Sequence, residues 1–155
     1  MKFSELEYRR PDVARIEEDY KALIERVKKA ETDEEILDIW AAHQRLSTEF
    51  NLSDRTVYIR NTMNTKDEFY LGEKAYFNSV SPSYYNTQNQ LYKALLEHPK
   101  LHVLADKFGS ILPKKMQVVL DAADESVIYL QREDNALVQE YDELYASYMV
   151  EFEGK

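Results

Sequence analysis

The sequence predicts an all-α protein, a multi-helix bundle of roughly six to eight helices with no significant sheet. Glycine and proline are scarce, at three and four copies in 155 residues, whereas strand-rich folds with many turns need both in quantity. Ala, Leu, Glu, Lys and Gln, which lose little side-chain freedom in a helix, are abundant. Apolar residues recur at steps of three and four along most of the chain, the spacing that turns one helix face toward a core. No clear strand, internal repeat or low-complexity linker interrupts the pattern, so residues 1–155 read as a single helical domain. A chain of this length buries roughly 70% of its unfolded surface, enough for a core without covalent staples.

The first helix is expected over Asp12–Lys29, where Val13, Ile16, Tyr20, Leu23, Ile24 and Val27 form one apolar face and Pro11 suits the first turn. Thr32 and Glu35 have capping-box spacing, and Ile36, Ile39, Trp40, Leu46 and Phe50 carry the second helix onward. Leu52, Thr56, Ile59 and Met63 make a stripe slightly out of phase with it, which is read as a kinked extension or a separate short helix after Asn51. Thr65 and Glu68 repeat the capping-box pattern ahead of Phe69, Tyr76, Phe77 and Val80. Ser81-Pro82 then reads as a fresh start, followed by Tyr85, Gln88, Leu91, Tyr92, Leu95 and Leu96. Pro99 closes that helix, and Leu101, Leu104 and Phe108 mark a short one ended by Gly109 in the left-handed conformation. Beyond Pro113, Met116, Leu120, Ala123, Val127 and Leu130 predict a long helix. A joint near Asp134-Asn135 leads to a last stripe of Leu137, Tyr141, Leu144, Tyr148 and Phe152.

Charge and composition narrow the function. Twenty basic against 29 acidic residues give a net charge of −9, and the basic pairs Arg9-Arg10, Lys28-Lys29 and Lys114-Lys115 are isolated, so nucleic acid is not an expected partner. The apolar runs are far shorter than the ~20 residues that cross a bilayer, and Met1–Arg10 lacks the apolar stretch of a secretion signal. With no cysteine, disulfides and thiolate metal sites are excluded, and a cytoplasmic setting is the default.

Reaction chemistry has little to stand on in these residues. His98 and His102 have the spacing of the two ligands in H-E-x-x-H, but Pro99 stands where the general-base Glu belongs and breaks the helix that would align the rings. They read as helix-end and surface histidines. His43, in step with Ile39, Leu46 and Phe50, reads as a core or boundary histidine. No His follows an acidic residue by three positions, which excludes the Glu-x-x-His units of di-iron bundles. Gly72, Gly109 and Gly154 are too scattered to cradle a phosphate. Acidic groups such as Glu17-Glu18, Asp33-Glu34-Glu35 and Asp67-Glu68 read as solvated faces or helix N-terminal charges. No catalytic, cofactor-binding or metal-ligating residue is therefore assigned. The 12 tyrosines are more informative. Tyr129, Tyr141, Tyr145 and Tyr148 crowd the end of the chain, where they serve as core and core-edge residues or as an interface, the setting in which Tyr is enriched. Tyr141, Tyr145, Tyr148 and Phe152 are the candidate interface residues.

Several segments resemble a known family. F-S-E-L-E-Y-R-R-P-D (Phe3 to Asp12), I-E-E-D-Y-K-A-L-I (Ile16 to Ile24), I-R-N-T-M-N-T-K-D-E-F-Y (Ile59 to Tyr70), E-K-A-Y-F (Glu73 to Phe77), S-P-S-Y-Y (Ser81 to Tyr85) and L-Y-K-A-L-L (Leu91 to Leu96) are similar to the opening helical domain of the oligoendopeptidase F branch of zinc metallopeptidases, relatives of thimet oligopeptidase. V-E-F-E-G-K (Val150 to Lys155) resembles the passage from that domain into the rest of the enzyme. The resemblance implies a wall beside a deep channel that admits short, unfolded peptides. It also implies that zinc, held in those enzymes by H-E-x-x-H and a downstream Glu, belongs to the full-length enzyme, so that this chain holds no cofactor and is inactive alone. The implied partners are the remainder of the peptidase or an oligopeptide substrate, with weak self-association of the separated domain. The competing reading is a stand-alone helical module that binds a protein or peptide on its Tyr-rich face.

Overall fold

The first helix starts where the Asp12 carboxylate accepts the Arg15 backbone N–H at 3.0 Å, satisfying one of the donors that every helix leaves open at its N-terminus. Pro11 lies just outside this cap and is buried, rather than in the first turn. The computed structural model describes residues 6–123 and 128–147. Six helices occur among them: α1 (Val13–Lys29), α2 (Asp33–Met63), α3 (Glu68–Leu96), α4 (Leu101–Phe108), α5 (Ile111–Asp121) and α6 (Ile128–Ser147). There is no strand among the described residues.

The bundle is organised around α3, which packs against α1, α2, α5 and α6, while α4 bridges α2 and α5. Short links join α1 to α2 and α2 to α3, and helices joined so tightly run antiparallel. Val13, Ile16, Tyr20, Leu23 and Val27 on α1 alternate steps of three and four, and Glu73, Phe77, Tyr84, Gln88, Leu91 and Leu95 within α3 follow steps of four, seven, four, three and four. The buried faces of α1, α2 and α3 meet in one core. At its centre Phe50 stacks on Tyr84 with ring centroids 3.7 Å apart and planes 8° off parallel. Ile16, Tyr20, Phe50, Tyr84, Leu91 and Leu104 are completely inaccessible, and each such side chain contributes about 1.5–3 kcal/mol of transfer free energy.

The Thr32 cap forms as expected: Glu35 N–H donates to Thr32 Oγ1 at 3.2 Å, and Thr32 N–H donates to Glu35 Oε2 at 2.9 Å. Several other expectations are corrected. Of the two readings left open after Asn51, a separate short helix is not found: Phe50, Val57 and Asn61 keep α2 in register to Met63, and Leu52, Ile59 and Met63 of the expected second stripe are exposed. The next cap is Asp67, not Thr65: its carboxylate accepts the N–H groups of Phe69 at 3.0 Å and Tyr70 at 3.3 Å, and Phe69 faces solvent. Ser81-Pro82 starts nothing, because α3 runs through a buried Pro82, and the core residue beyond it is Tyr84, with Tyr85 exposed. Gly109 has the positive φ of 91° that favours glycine, but its ψ of 148° lies outside the left-handed helical region. The long helix expected after Pro113 stops at Asp121. Its end is closed by tight bonds from Ala122 and Ala123 back to α5, and α6 then continues unbroken through Asp134-Asn135.

Candidate docking surface

Helix α6 is packed the wrong way round for a helix whose surroundings are only water and this bundle. Among its described side chains the half-buried ones are Asn135, Gln139 and Glu143, at steps of four, and two contacts with α3 are polar. Asn78 Nδ2 donates to Gln139 Oε1 at 2.7 Å, and the Lys74 ammonium lies 3.5 Å from the Asp142 carboxylate. The apolar stripe points outward: Leu137 is 63% exposed, Tyr141 66%, Leu144 69% and Tyr145 76%, with Val138 alongside. Tyr141 and Tyr145 stack, centroids 6.3 Å apart and planes 18° off parallel. Of the four candidate interface residues, the structure thus places Tyr141 and Tyr145 together on one exposed face. Tyr148 and Phe152 lie outside the described residues. Tyr141 and Leu144 are exposed and lie outside the core of the described residues.

The aromatic wealth of the core serves a different arrangement, which sequence periodicity did not separate from the rest. His43 is buried between two tyrosines, with Nδ1 3.1 Å from Tyr20 Oη and Nε2 3.4 Å from Tyr92 Oη. Gln88 Nε2 donates to Tyr20 Oη at 3.4 Å and to Tyr84 Oη at 3.3 Å. Tyr20 Oη, within reach of Gln88 Nε2, Tyr84 Oη and His43 Nδ1, links these four side chains in one network. Burial pushes the His43 imidazole down to about 4 and the Tyr92 phenol up to about 12, so every member of the network is neutral at neutral pH. Trp40 packs against the imidazole at 4.6 Å between centroids. A 360 Å³ hollow beside Trp40, His43, Tyr92, Lys115 and Met116 opens this network toward α5.

Among the described residues Glu73 is the one buried carboxylate, 4% exposed, and it is fully engaged. Arg10 grips it with two nitrogens, Nε at 3.0 Å, and Tyr8 donates its hydroxyl to the same carboxylate. The Arg10 hydrogen bond is the main reason that Glu73 titrates below the usual carboxylate range, and Arg10 also lies over the Tyr76 ring at 4.4 Å. Together these contacts tie the segment ahead of α1 to α3. His98 has a similar role at the other end: its Nε2 meets the Ala30 carbonyl at 3.3 Å and its Nδ1 accepts the Lys100 N–H at 3.1 Å, joining two interhelical links. His102 is exposed. Among the described residues no group of three His, Cys, Asp or Glu could hold a metal ion, and both ring nitrogens of His43 and His98 already have partners. The described residues do not fit zinc. No described helix is long and apolar enough to cross a membrane.

What the fold and its surfaces define is a helical packing domain, a bundle around one aromatic core with an apolar face turned outward on α6. Residues 3–123 match the family model for the Peptidase M3 N-terminal domain, and the chain belongs to that family. It is the N-terminal domain of oligoendopeptidase F-like peptidases of the M3 family. Its structure superimposes on PZ peptidase A with a TM-score of 0.95 at 30% identity, covering 99% of this chain and 27% of that one. An oligoendopeptidase F structure matches with a TM-score of 0.95 at 27% identity, over 100% of this chain and 27% of that one. Another, from Bacillus anthracis str. Ames, gives 0.94 at 26% identity, over 100% and 28%. The chain thus spans about a quarter of the length of these relatives. A search of the curated proteins found no match.

Proposed function

We propose that residues 1–155 form a helical wall of the substrate channel in a zinc metalloendopeptidase of the oligoendopeptidase F type, which hydrolyses short peptides in the cytoplasm, and that α6 docks this wall onto the remainder of the enzyme. The observation that carries the reading is the inverted packing of α6, with amides and carboxylates inward and Leu137, Tyr141 and Tyr145 outward. An apolar face of this kind is stable in water only at a cost, and covering it with further protein removes that cost. Family membership and the share of the relatives' length covered by the chain support the identity of the covering protein. Zinc, which the described residues do not fit, then belongs to that remainder. The absence of cysteine accords with a reducing compartment. Placing Asp at both Leu137 and Tyr141 in the full-length peptidase tests the docking. The expected result is release of the helical domain by limited proteolysis and cleavage of longer substrates than the parent accepts; unchanged proteolysis and unchanged length selectivity would refute it. The 155-residue chain alone should leave a quenched oligopeptide uncut, and chelator-sensitive cleavage with stoichiometric zinc would overturn the division of labour.

A further inference from the structure

The 360 Å³ hollow between α2 and α5 lies near the lower end of the ~300–1,000 Å³ range of small-ligand sites. Its deep lining is built into the core: Trp40, His43 and Met116 are 6%, 4% and 2% exposed. An indole and a thioether there offer a surface for the apolar body of a ligand. Toward solvent the lining turns polar, with the hydroxyls of Ser47 and Thr48 on α2 and the exposed Lys115 ammonium on α5. Among the described residues no Asp or Glu lines this hollow, although the chain carries 29 acidic residues against 20 basic ones. The larger cleft against α3 is different, since Lys93 shares it with Glu97, Asp121 and Asp134. We propose that the hollow binds a small carboxylic acid with one ring, the ring lying against Trp40 and Met116 and the carboxylate at Lys115.

Sign and size both select this class. Burial holds the His43 imidazole neutral, so Lys115 alone sets the charge of the lining, and an amine would meet a like charge with no carboxylate to receive it. A phosphate monoester carries nearly two negative charges at neutral pH and would leave one of them unmatched. A carboxylate is matched by one ammonium, and the Ser47 and Thr48 hydroxyls are donors for its remaining lone pairs. An ion pair formed beside a low-dielectric wall is stronger than the same pair in open water. A ligand seated there touches α2 and α5 together, so binding is linked to the stability of the bundle.

Trp40 is the chain's one tryptophan, so its fluorescence reports directly on the hollow. The test is a titration of the 155-residue chain with 3-phenylpropionate and, separately, with 3-phenylpropanol, which has the same ring and no charge. A saturable change in Trp40 emission is expected with the acid, with the alcohol binding roughly fivefold more weakly, the value of one exposed ion pair. Lys115→Gln, at an exposed position, should keep the fold and bring the acid down to the level of the alcohol. The acid should also raise the melting temperature of the parent more than that of the variant. Absence of a saturable change, equal binding of acid and alcohol, or unchanged affinity for the acid in a folded Lys115→Gln would each overturn the proposal. Neither catalysis nor the outer face of α6 enters the titration, so its outcome is separate from that of the channel-wall reading.

Discussion

Acidification should destabilise this domain through one imidazole before its hydrogen-bonded carboxylates respond. His43 titrates at about 4 in the folded protein against an ordinary 6.5, and burial alone is the cause. Between those values the unfolded chain binds a proton that the folded one refuses, so stability is full above about 6.5 and falls as the pH drops toward 4. The gap corresponds to about 3 kcal/mol, with a slope approaching ~1.4 kcal/mol per pH unit within the window. His43→Gln keeps a hydrogen-bonding side chain among Tyr20, Tyr92 and Trp40 but does not titrate. Urea unfolding of both proteins from neutral pH down to about 4 measures the difference directly. Glu25, Asp33, Glu35 and Glu73, all held below the usual carboxylate range by their hydrogen bonds, lose their contribution at lower pH. Because they are common to both proteins, they cancel in the comparison. The wild type should lose about 3 kcal/mol more than the variant over the window. Parallel curves would show that His43 is not held neutral by its surroundings.

Other substitutions probe the remaining features. Glu73→Ala, which strands Arg10 and Tyr8 and detaches the segment ahead of α1, should cost about 3 kcal/mol by chemical denaturation, with the half-exposed Arg10 keeping the loss from being larger. Phe50→Ala removes the ring stacked on Tyr84 and should cost ~3–5 kcal/mol. Tyr141→Ser combined with Tyr145→Ser should change stability by less than ~0.5 kcal/mol while suppressing weak self-association of the 155-residue chain in sedimentation; a large drop in melting temperature would place these rings in a core.

The all-α class, the face of α1, the Thr32–Glu35 cap and the burial of His43 were all legible in the residues, because each depends on neighbours three or four positions away. What was lost was lost at joints. Treating Ser81-Pro82 as a restart abandoned the register that runs from Phe77 to Tyr84, seven residues on, and so put Tyr85 in the core in its place. Pro82 survives inside α3 because tertiary packing on both sides of it outweighs one missing N–H bond. At Asn51 the same seven-residue step, from Phe50 to Val57, decides between the two readings left open there in favour of one continuous α2. Neither Gly nor Pro marks the end of α5, so the break at Ala122 had no local cue. The apolar stripe of α6 was visible as periodicity, but periodicity says which residues share a face and not whether that face looks inward.

The unbroken length of α2 dictates where this domain tolerates changes of chain length. Its 31 residues make a rod of about 46 Å, and a residue added in the middle would swing everything beyond it by ~100°, carrying Val57 and Asn61 away from their neighbours. The same holds for α3 on either side of Pro82. Insertions and deletions among relatives of this domain should therefore gather at the links around residues 30–32, 64–67 and 97–100 and after Asp121, leaving the two long rods constant in residue count.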